Sequence, residues 1–537
     1  MDEVVDRCAE APEPPEAPAQ QLPEGDFIDG LLGLLEEDAL ASRLAELEDE
    51  QLYEDADFPA DASSLSYSDP NDEALADIVW MRPHELVDEP ALFVDGVSRG
   101  DVKQGDLGDC WFLSACASVA RRPDLIERVV SPGQPLYGPG YQGVVAVRLW
   151  RFGAWVSVHV DDRLPTRDGR LLYASCADPR EFWVAFIEKA YAKLHGSYEA
   201  LAGGHSLEAF VDLTGGLAEK LSLKELPFRQ LRIAFEHGAF VTCARRGDWQ
   251  LATQRDEATG LVQGHAYTVT DVRRLEPREP DGAVRLLRLV RVRNPWAGSE
   301  WTGAWSDGDP RWDALDEETK QALSVTATED GEFWMEYEDF QAQFEEVTVA
   351  TLGPDFDADG SSDASDQVKI IQDRWTEGEN AGGCRNDLEK FATNPQYLIN
   401  LTETDDPDSE SGDTAKCSLL VGLMQEHRRS EKNREMRMRA IAFFVYKTDT
   451  PSERLSAEYF LCVPEEGSSG VFVNSREVLG RFELEPGYYV LIPATYYPDQ
   501  TRTFMLRIFG LKPFDVRKLP DQEILIHEQD AFVEEIT

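Results

Sequence analysis

The run Gln104-Gly105-Asp106-Leu107-Gly108-Asp109-Cys110-Trp111 sets one cysteine behind a glycine-rich turn, downstream of a glutamine, where an apolar helical pattern of Phe112, Leu113, Ala115 and Val119 begins. A free thiol with a pKa of about 8.5 is mostly protonated at neutral pH, and its reactive thiolate needs a helix N-terminus and a nearby imidazolium for support. The motif supplies the helix start. Gln104, upstream on the same turn, can reach over the thiol and donate a side-chain N–H to a developing oxyanion. Such a contact is worth roughly 2.7–4 kcal/mol in acyl transfer. Nucleophile and oxyanion donor are thus offered together.

A nucleophilic cysteine needs a base and a group to hold that base. Gly264-His265-Ala266-Tyr267-Thr268-Val269-Thr270-Asp271-Val272 alternates as a β-strand with His265 near its beginning. Leu286–Arg293 reads as a second strand that stops at Asn294-Pro295-Trp296, which leaves the Asn294 amide at a strand end to orient the imidazole and Trp296 to cover the pair from water. The order Cys, His, Asn, with a Cys110-to-His265 gap close to the roughly 130–150 residues of papain-like enzymes, supports a triad.

Most lone cysteines are small buried hydrophobes, and Cys116, Cys176, Cys243, Cys384, Cys417 and Cys462 are read so. His84, His159, His195, His205, His237, His427 and His527 sit in no comparable motif and are read as structural. Asn before Pro is ordinarily turn chemistry, and only its spacing and neighbours single out Asn294.

Together, Q-G-x-x-G-D-C-W, G-H-A-Y, R-N-P-W and E-W-T-G-A-W-S-D resemble the calpains, calcium-dependent cytosolic cysteine proteases. Likeness continues through Val160–Pro165, Glu181–Trp183, Glu188–Lys193, Asp330–Met335, Ala381–Asn386, Asn394–Gln396 and Pro486–Val490, covering the chain from about Glu46 to about Gly510. The resemblance implies an α+β fold: a two-lobed papain-like cysteine protease core followed by an antiparallel C2-like β-sandwich. It implies Ca2+ as cofactor. One ion set falls on the carbonyls of Val94 and Gly96 with the carboxylates of Asp101 and Glu181; the other falls on Glu300, Asp307, Asp330 and Glu332 with the carbonyl of Thr328. Spacing alone would leave these acids as solvated loop charges, although calcium's 6–8 oxygen ligands suit them. The implied activity is calcium-dependent limited proteolysis of regulatory or cytoskeletal proteins. The alternative is a calpain-like, calcium-responsive scaffold whose lobes no longer close productively. Ala297 stands where the family usually has glycine after N-P-W.

The elements that must position these groups follow from composition and pattern. A chain of 537 residues with 42% hydrophobic content is expected to hold about three domains. The expected division is an acidic, partly disordered segment with an amphipathic helix over 1–45, a nucleophile lobe over 46–214, a His and Asn lobe over 215–352, an acidic linker over 353–367, a C2-like β-sandwich over 368–510 and a tail over 511–537. A triad split between lobes is assembled only when they close. Asp355–Asp366 places oxygens like an EF-hand loop, but Asp366 replaces the usual bidentate glutamate and no helix precedes it, so it is read as linker.

A net charge of −50 argues against nucleic acid as a partner and favours divalent cations. Eight scattered cysteines without CxxC spacing argue against zinc or a disulfide framework. With no secretory segment or long apolar run, a cytoplasmic location is expected. Protein substrates are the expected partners. In the sandwich, the acidic Glu403–Asp413 loop and the basic stretch Arg428, Arg429, Lys432, Arg434, Arg437 and Arg439 are read as solvated loops or as sites of mutual attraction, weak anionic-lipid contact or signal transmission. Only 27 residues follow Gly510, so neither a penta-EF-hand domain nor a small regulatory subunit is expected.

Overall fold

The computed structural model describes Leu44 and residues 51–245, 247, 255–276, 286–296, 299–325, 331–354, 367–405, 416–427, 429 and 437–520. The expected acidic helix before residue 46, the EF-hand-like run, the acidic loop beyond Asp405 and Ala297 lie outside the described residues. Two compact units emerge: Gln20–Asp363 with Arg428–Arg437, and Ala364–His427 with Met438–Thr537.

In the first unit, the apolar pattern after Cys110 forms helix α1 (Cys110–Val119), every residue of which is buried. Its small residues let strands approach: Thr268 Oγ1 donates to the Ser114 carbonyl at 2.9 Å, and the Val241 N–H donates to Ser118 Oγ at 3.1 Å. Strands β1 (Val79–Met81), β4 (Leu164–Arg167) and β5 (Arg170–Leu171) form a small sheet beside the antiparallel hairpin β2 (Val144–Arg151) and β3 (Ala154–Asp161). Helix α2 (Trp183–His195) ends at Gly196, whose φ of 110° a side chain would strain.

Two lysines of α2 tie these pieces together. Lys189 Nζ, wholly buried, donates to the Asp161 carboxylate and carbonyl at 2.8 Å and to the Arg163 carbonyl at 2.6 Å. Lys193 Nζ donates to Asp55 Oδ2 at 2.6 Å. A buried cation is tolerable only with such partners. Burial alone would raise the Asp161 carboxyl, but the Lys189 ammonium and the Arg163 guanidinium hold it at about 2.

Helix α3 (Ser206–Thr214) stops at Gly215 in the left-handed region, at the expected boundary after residue 214. At Gly216 a Cβ would lie 2.1 Å from the Thr351 carbonyl oxygen, so the chain can turn into the next sheet there only without a side chain. That antiparallel sheet runs β10-β9-β8-β7-β11-β6 among the described residues, built from β6 (Leu217–Ser222), β7 (Phe240–Arg245), β8 (His265–Leu275), β9 (Leu287–Arg293), β10 (Glu332–Glu336) and β11 (Glu346–Thr351). Its inward residues, among them Tyr267, Val269, Val290, Val292, Phe333 and Met335, share one core. Strands β8 and β9 pair from Thr268↔Arg293 out to Leu275↔Leu287.

One residue of the basic stretch departs from a solvated loop. Arg429, within the first unit, stacks its guanidinium 4.5 Å from the Trp111 ring and pairs with Glu208 at 2.9 Å. Its backbone N–H also donates to His195 Nδ1 at 3.1 Å.

The second unit is a β-sandwich. One antiparallel sheet orders β12 (Gln367–Trp375), β20 (Arg502–Gly510), β14 (Cys417–Gln425) and β18 (Glu477–Leu484). The other orders β16 (Gly467–Ser468), β15 (Ala440–Thr448), β19 (Gly487–Thr495), β13 (Tyr397–Leu401) and β21 (Phe514–Lys518), with β17 (Val473–Asn474) also on β15. Alternate residues of both sheets, including Trp375, Tyr397, Leu419, Phe443, Leu491 and Phe504, fill the space between them.

Candidate active site

Cys110 is the first residue of α1, where backbone N–H groups are left without intrahelical acceptors. The preceding turn is held tightly. Asp106 N–H donates to the Leu172 carbonyl at 3.0 Å, and Gly203 N–H donates to the Gly108 carbonyl at 2.8 Å. A Cβ on Gly105 would sit 2.3 Å from the Leu172 oxygen, which explains the glycine after Gln104.

His265 opens β8 and Asn294 directly follows β9, both buried, and the hairpin brings them together. His265 Nε2 lies 2.8 Å from Asn294 Oδ1, which also accepts the Trp296 backbone N–H at 3.0 Å. Asn294 Nδ2 in turn donates to the Ser299 carbonyl at 3.2 Å. Because its Nδ2 faces a carbonyl, Oδ1 is the acceptor toward the ring, so the neutral imidazole carries its proton on Nε2. Nδ1, buried and without a hydrogen-bond partner among the described residues, is left as a base. The Trp296 ring lies 4.4 Å from the His265 ring, tilted by 40°, and Tyr267 meets it edge-on at 5.0 Å.

The two lobes meet at these residues. The Ala266 backbone reaches Cys110, and the Gln104 N–H donates to the Pro295 carbonyl at 3.1 Å. Gln104 Nε2 donates to the Leu107 carbonyl at 2.6 Å, so one amide hydrogen stays inside the turn and only the second is left for an oxyanion. Sequence reasoning did not foresee that internal bond.

Electrostatics favour neutral groups at rest. Burial pushes the Cys110 thiol up to about 12, with Ala266 opposing and the Asp109 charge adding to the rise. Burial also drives His265 down to about 4, with the Asn294 bond opposing. Burial in the seam disfavours either ion, because little water is left to solvate it. Beside the thiol lies an acid pair that the sequence did not single out. Asp109 and Glu188 are both buried; burial raises Glu188, with the Asp109 charge and hydrogen bond adding to the rise, and burial carries Asp109 to about 7 against the opposing Glu188 hydrogen bond. Asp109 directly precedes α1 and Glu188 lies on α2, and nothing local in the sequence announces their meeting.

Of the expected calcium ligands, the nucleophile-lobe set lies close together. The Val94 N–H donates to Glu181 Oε1 at 3.3 Å, and Asp101 accepts the Ser98 N–H at 2.6 Å. Burial first and the Asp101 charge second raise Glu181 to about 7. Two carboxylates that repel in a half-buried loop, beside the turn at Gly96 with φ 90°, have the charge and donor type calcium takes. In the other lobe Glu300 Oε1 accepts the Gly331 N–H at 2.7 Å and Glu332 pairs with Arg291 at 2.7 Å, while Thr328 and Asp330 lie outside the described residues. Asp307 is half-buried. Among the described residues, no cluster of three or more His, Cys, Asp or Glu forms a ready metal site. Likewise, no helix among them is long and apolar enough to cross a membrane.

Residues 53–351 match the family described as calpain family cysteine protease, and residues 371–509 match calpain large subunit, domain III. Calpain-A of Drosophila melanogaster is 40% identical over 469 residues, covering 86% of this chain and 55% of that protein. Human Calpain-9 is 41% identical over 466 residues, covering 86% and 65%, and the bovine Calpain-2 catalytic subunit is 39% identical over 516, covering 92% and 72%. The fold and these matches define a cysteine protease domain followed by a C2-like β-sandwich. The chain belongs to the calpain family. It spans roughly half to two thirds of the length of the first relatives it matches.

Proposed function

We propose that the chain is a calcium-dependent cysteine endopeptidase with Cys110 as nucleophile, His265 as base, Asn294 as the residue that orients it and Gln104 as oxyanion donor. The observation that carries this reading is the 2.8 Å bond from His265 Nε2 to Asn294 Oδ1, which leaves Nδ1 as acceptor in a seam shared with the buried thiol. On substrate binding the Cys110 proton passes to His265 Nδ1 as Sγ bonds to the scissile carbonyl carbon. The carbonyl oxygen takes the electron pair and is met by the Cys110 backbone N–H and the second Gln104 amide hydrogen. Nδ1 then protonates the leaving amine as the C–N bond breaks, and water activated by the same nitrogen hydrolyses the thioester. Trp296 and Tyr267 shield the imidazole from solvent.

Calcium would be held by Val94, Gly96, Asp101 and Glu181 in one lobe and by Glu300, Asp307, Thr328, Asp330 and Glu332 in the other. When bound it supplies positive charge that relieves carboxylate repulsion and fixes both loops. Closure of the lobes would then present the seam residues to substrate. Extended, exposed segments of regulatory or cytoskeletal proteins are the substrate class this reading takes from the family. The test is hydrolysis of unfolded casein under reducing conditions across a calcium titration. Activity that rises with calcium supports the reading; a chain that binds calcium without hydrolysis at any concentration is a scaffold instead.

A further inference from the structure

Asp109 stands in the position that caps α1, where an aspartate ordinarily accepts a backbone N–H from the first turn. Its side chain makes no such bond. The hydrogen-bonding neighbours of this wholly buried carboxyl are its own backbone N–H and the carboxyl of Glu188, which lies in the middle of α2 and is buried almost as completely. Two carboxyl groups bond to each other only across a proton, because a carboxylate accepts and cannot donate. One acid of the pair therefore keeps its proton, and burial, which disfavours the charged form of both, supports that state.

Glu188 also holds a second element. The Ala174 N–H donates to Glu188 Oε1 at 3.1 Å and Oε2 at 3.0 Å. Ala174 belongs to the strip that grips the turn before the nucleophile: the Leu172 carbonyl accepts the Asp106 N–H at 3.0 Å, and Lys103 and Ser175 exchange backbone bonds at 3.0 Å. Glu188 thus stands between the backbone that carries Gln104 and the residue that precedes Cys110. Gln104 and the Cys110 N–H are the two donors assigned to the oxyanion. We propose that Glu188 is a positioning residue for the oxyanion site, its carboxylic acid bridging Asp109 to the Ala174 strip so that the Cys110 N–H and the Gln104 amide stay at one separation. This rests on the catalytic reading above. Because the bridge works through one donor and one acceptor, an amide of the same length can replace the acid, whereas a thioether, which donates nothing, cannot.

The test follows hydrolysis of a peptide substrate by the full chain at saturating calcium, together with two reagents for the same sulfur. A peptide aldehyde adds Cys110 Sγ and its proton across the C=O and sets an oxygen in the oxyanion site, whereas iodoacetamide alkylates Sγ by displacing iodide and makes no oxyanion. Glu188→Met and Asp109→Ala cut the bridge from either end. Each is expected to lower kcat by about 100-fold, the scale of a misplacement of about 1 Å, with KM little changed. Aldehyde affinity is expected to fall with kcat, while alkylation by iodoacetamide runs no slower than in the parent. Glu188→Gln, which donates to Asp109 and accepts from Ala174, is expected to restore both kcat and aldehyde affinity. Parent-like kcat and aldehyde affinity in Glu188→Met overturn the proposal. So does a loss shared equally by aldehyde binding and alkylation, the mark of a lobe loosened throughout, and so does a Glu188→Gln as impaired as Glu188→Met. A parent that hydrolyses nothing overturns the catalytic reading itself. Should neither cut variant fold, the bridge belongs to the stability of the lobe and the positioning role falls.

Discussion

Asn294 Oδ1 accepts two hydrogen bonds at once, from His265 Nε2 at 2.8 Å and from the Trp296 backbone N–H at 3.0 Å. The amide is therefore locked by its own following turn before it meets the ring. Asn294→Ala should lower kcat by about 100- to 1000-fold with little change in KM, within the range a positioned base contributes. Steady-state kinetics on a peptide substrate checks this. An unchanged kcat would mean that His265 is oriented by something else.

The Lys189 ammonium is buried between the Asp161 carboxylate, the Asp161 carbonyl and the Arg163 carbonyl. Lys189→Met leaves Asp161 buried with its main counter-charge removed, and breaking such a pair from one side costs about 3–5 kcal/mol. Urea unfolding should show that loss. A variant within 1 kcal/mol of the parent, on the order of an exposed pair, would place the stabilisation elsewhere.

His265 gives stability an acid limit. Burial takes its pKa from an ordinary value near 6.5 to about 4. Between those values the unfolded chain binds a proton that the folded chain refuses, so stability present at neutral pH is lost as pH falls from about 6.5 toward 4, on the order of 3 kcal/mol. His265→Gln should unfold in urea with a shallower pH dependence across that window. An equal slope would show that the ring is hydrated in the native state.

The Asp109 and Glu188 pair acts with the opposite sign. Asp109 keeps its proton up to about 7 in the fold, whereas an unfolded aspartate releases it near 3.9. Stability from that proton is complete at acid pH and is lost as pH rises from about 4 through 7. Glu188→Gln removes the second carboxyl and supplies a donor, so the stability difference between pH 5 and pH 7.5 should shrink. If the difference is the same in both proteins, the pair does not share a proton.

What the sequence made legible was local. Alternation in His265–Val272 and the stop at Asn294-Pro295 are rules of the backbone, and they placed a strand start and a strand end where β8 and β9 have theirs. The helix at Cys110 and the boundary after residue 214 were readable for the same reason. The reach of Arg293 to Gly100, the meeting of Asp109 with Glu188 and the insertion of Arg429 over Trp111 were not, because each joins residues far apart in sequence that only packing brings near. Gln104 lay between these cases: its place on the turn was legible, its bond to Leu107 was not. The calcium acids are distributed likewise, and no spacing rule groups Glu181 with Asp101.

The most direct measurement is the rate of hydrolysis of an unfolded protein by the purified chain as calcium is raised under reducing conditions, with Cys110→Ser alongside. Hydrolysis that climbs with calcium in the parent and is absent in the variant is the predicted result. Equal hydrolysis by Cys110→Ser would contradict the assignment of Cys110 as nucleophile, and hydrolysis indifferent to calcium would contradict its control by the ion.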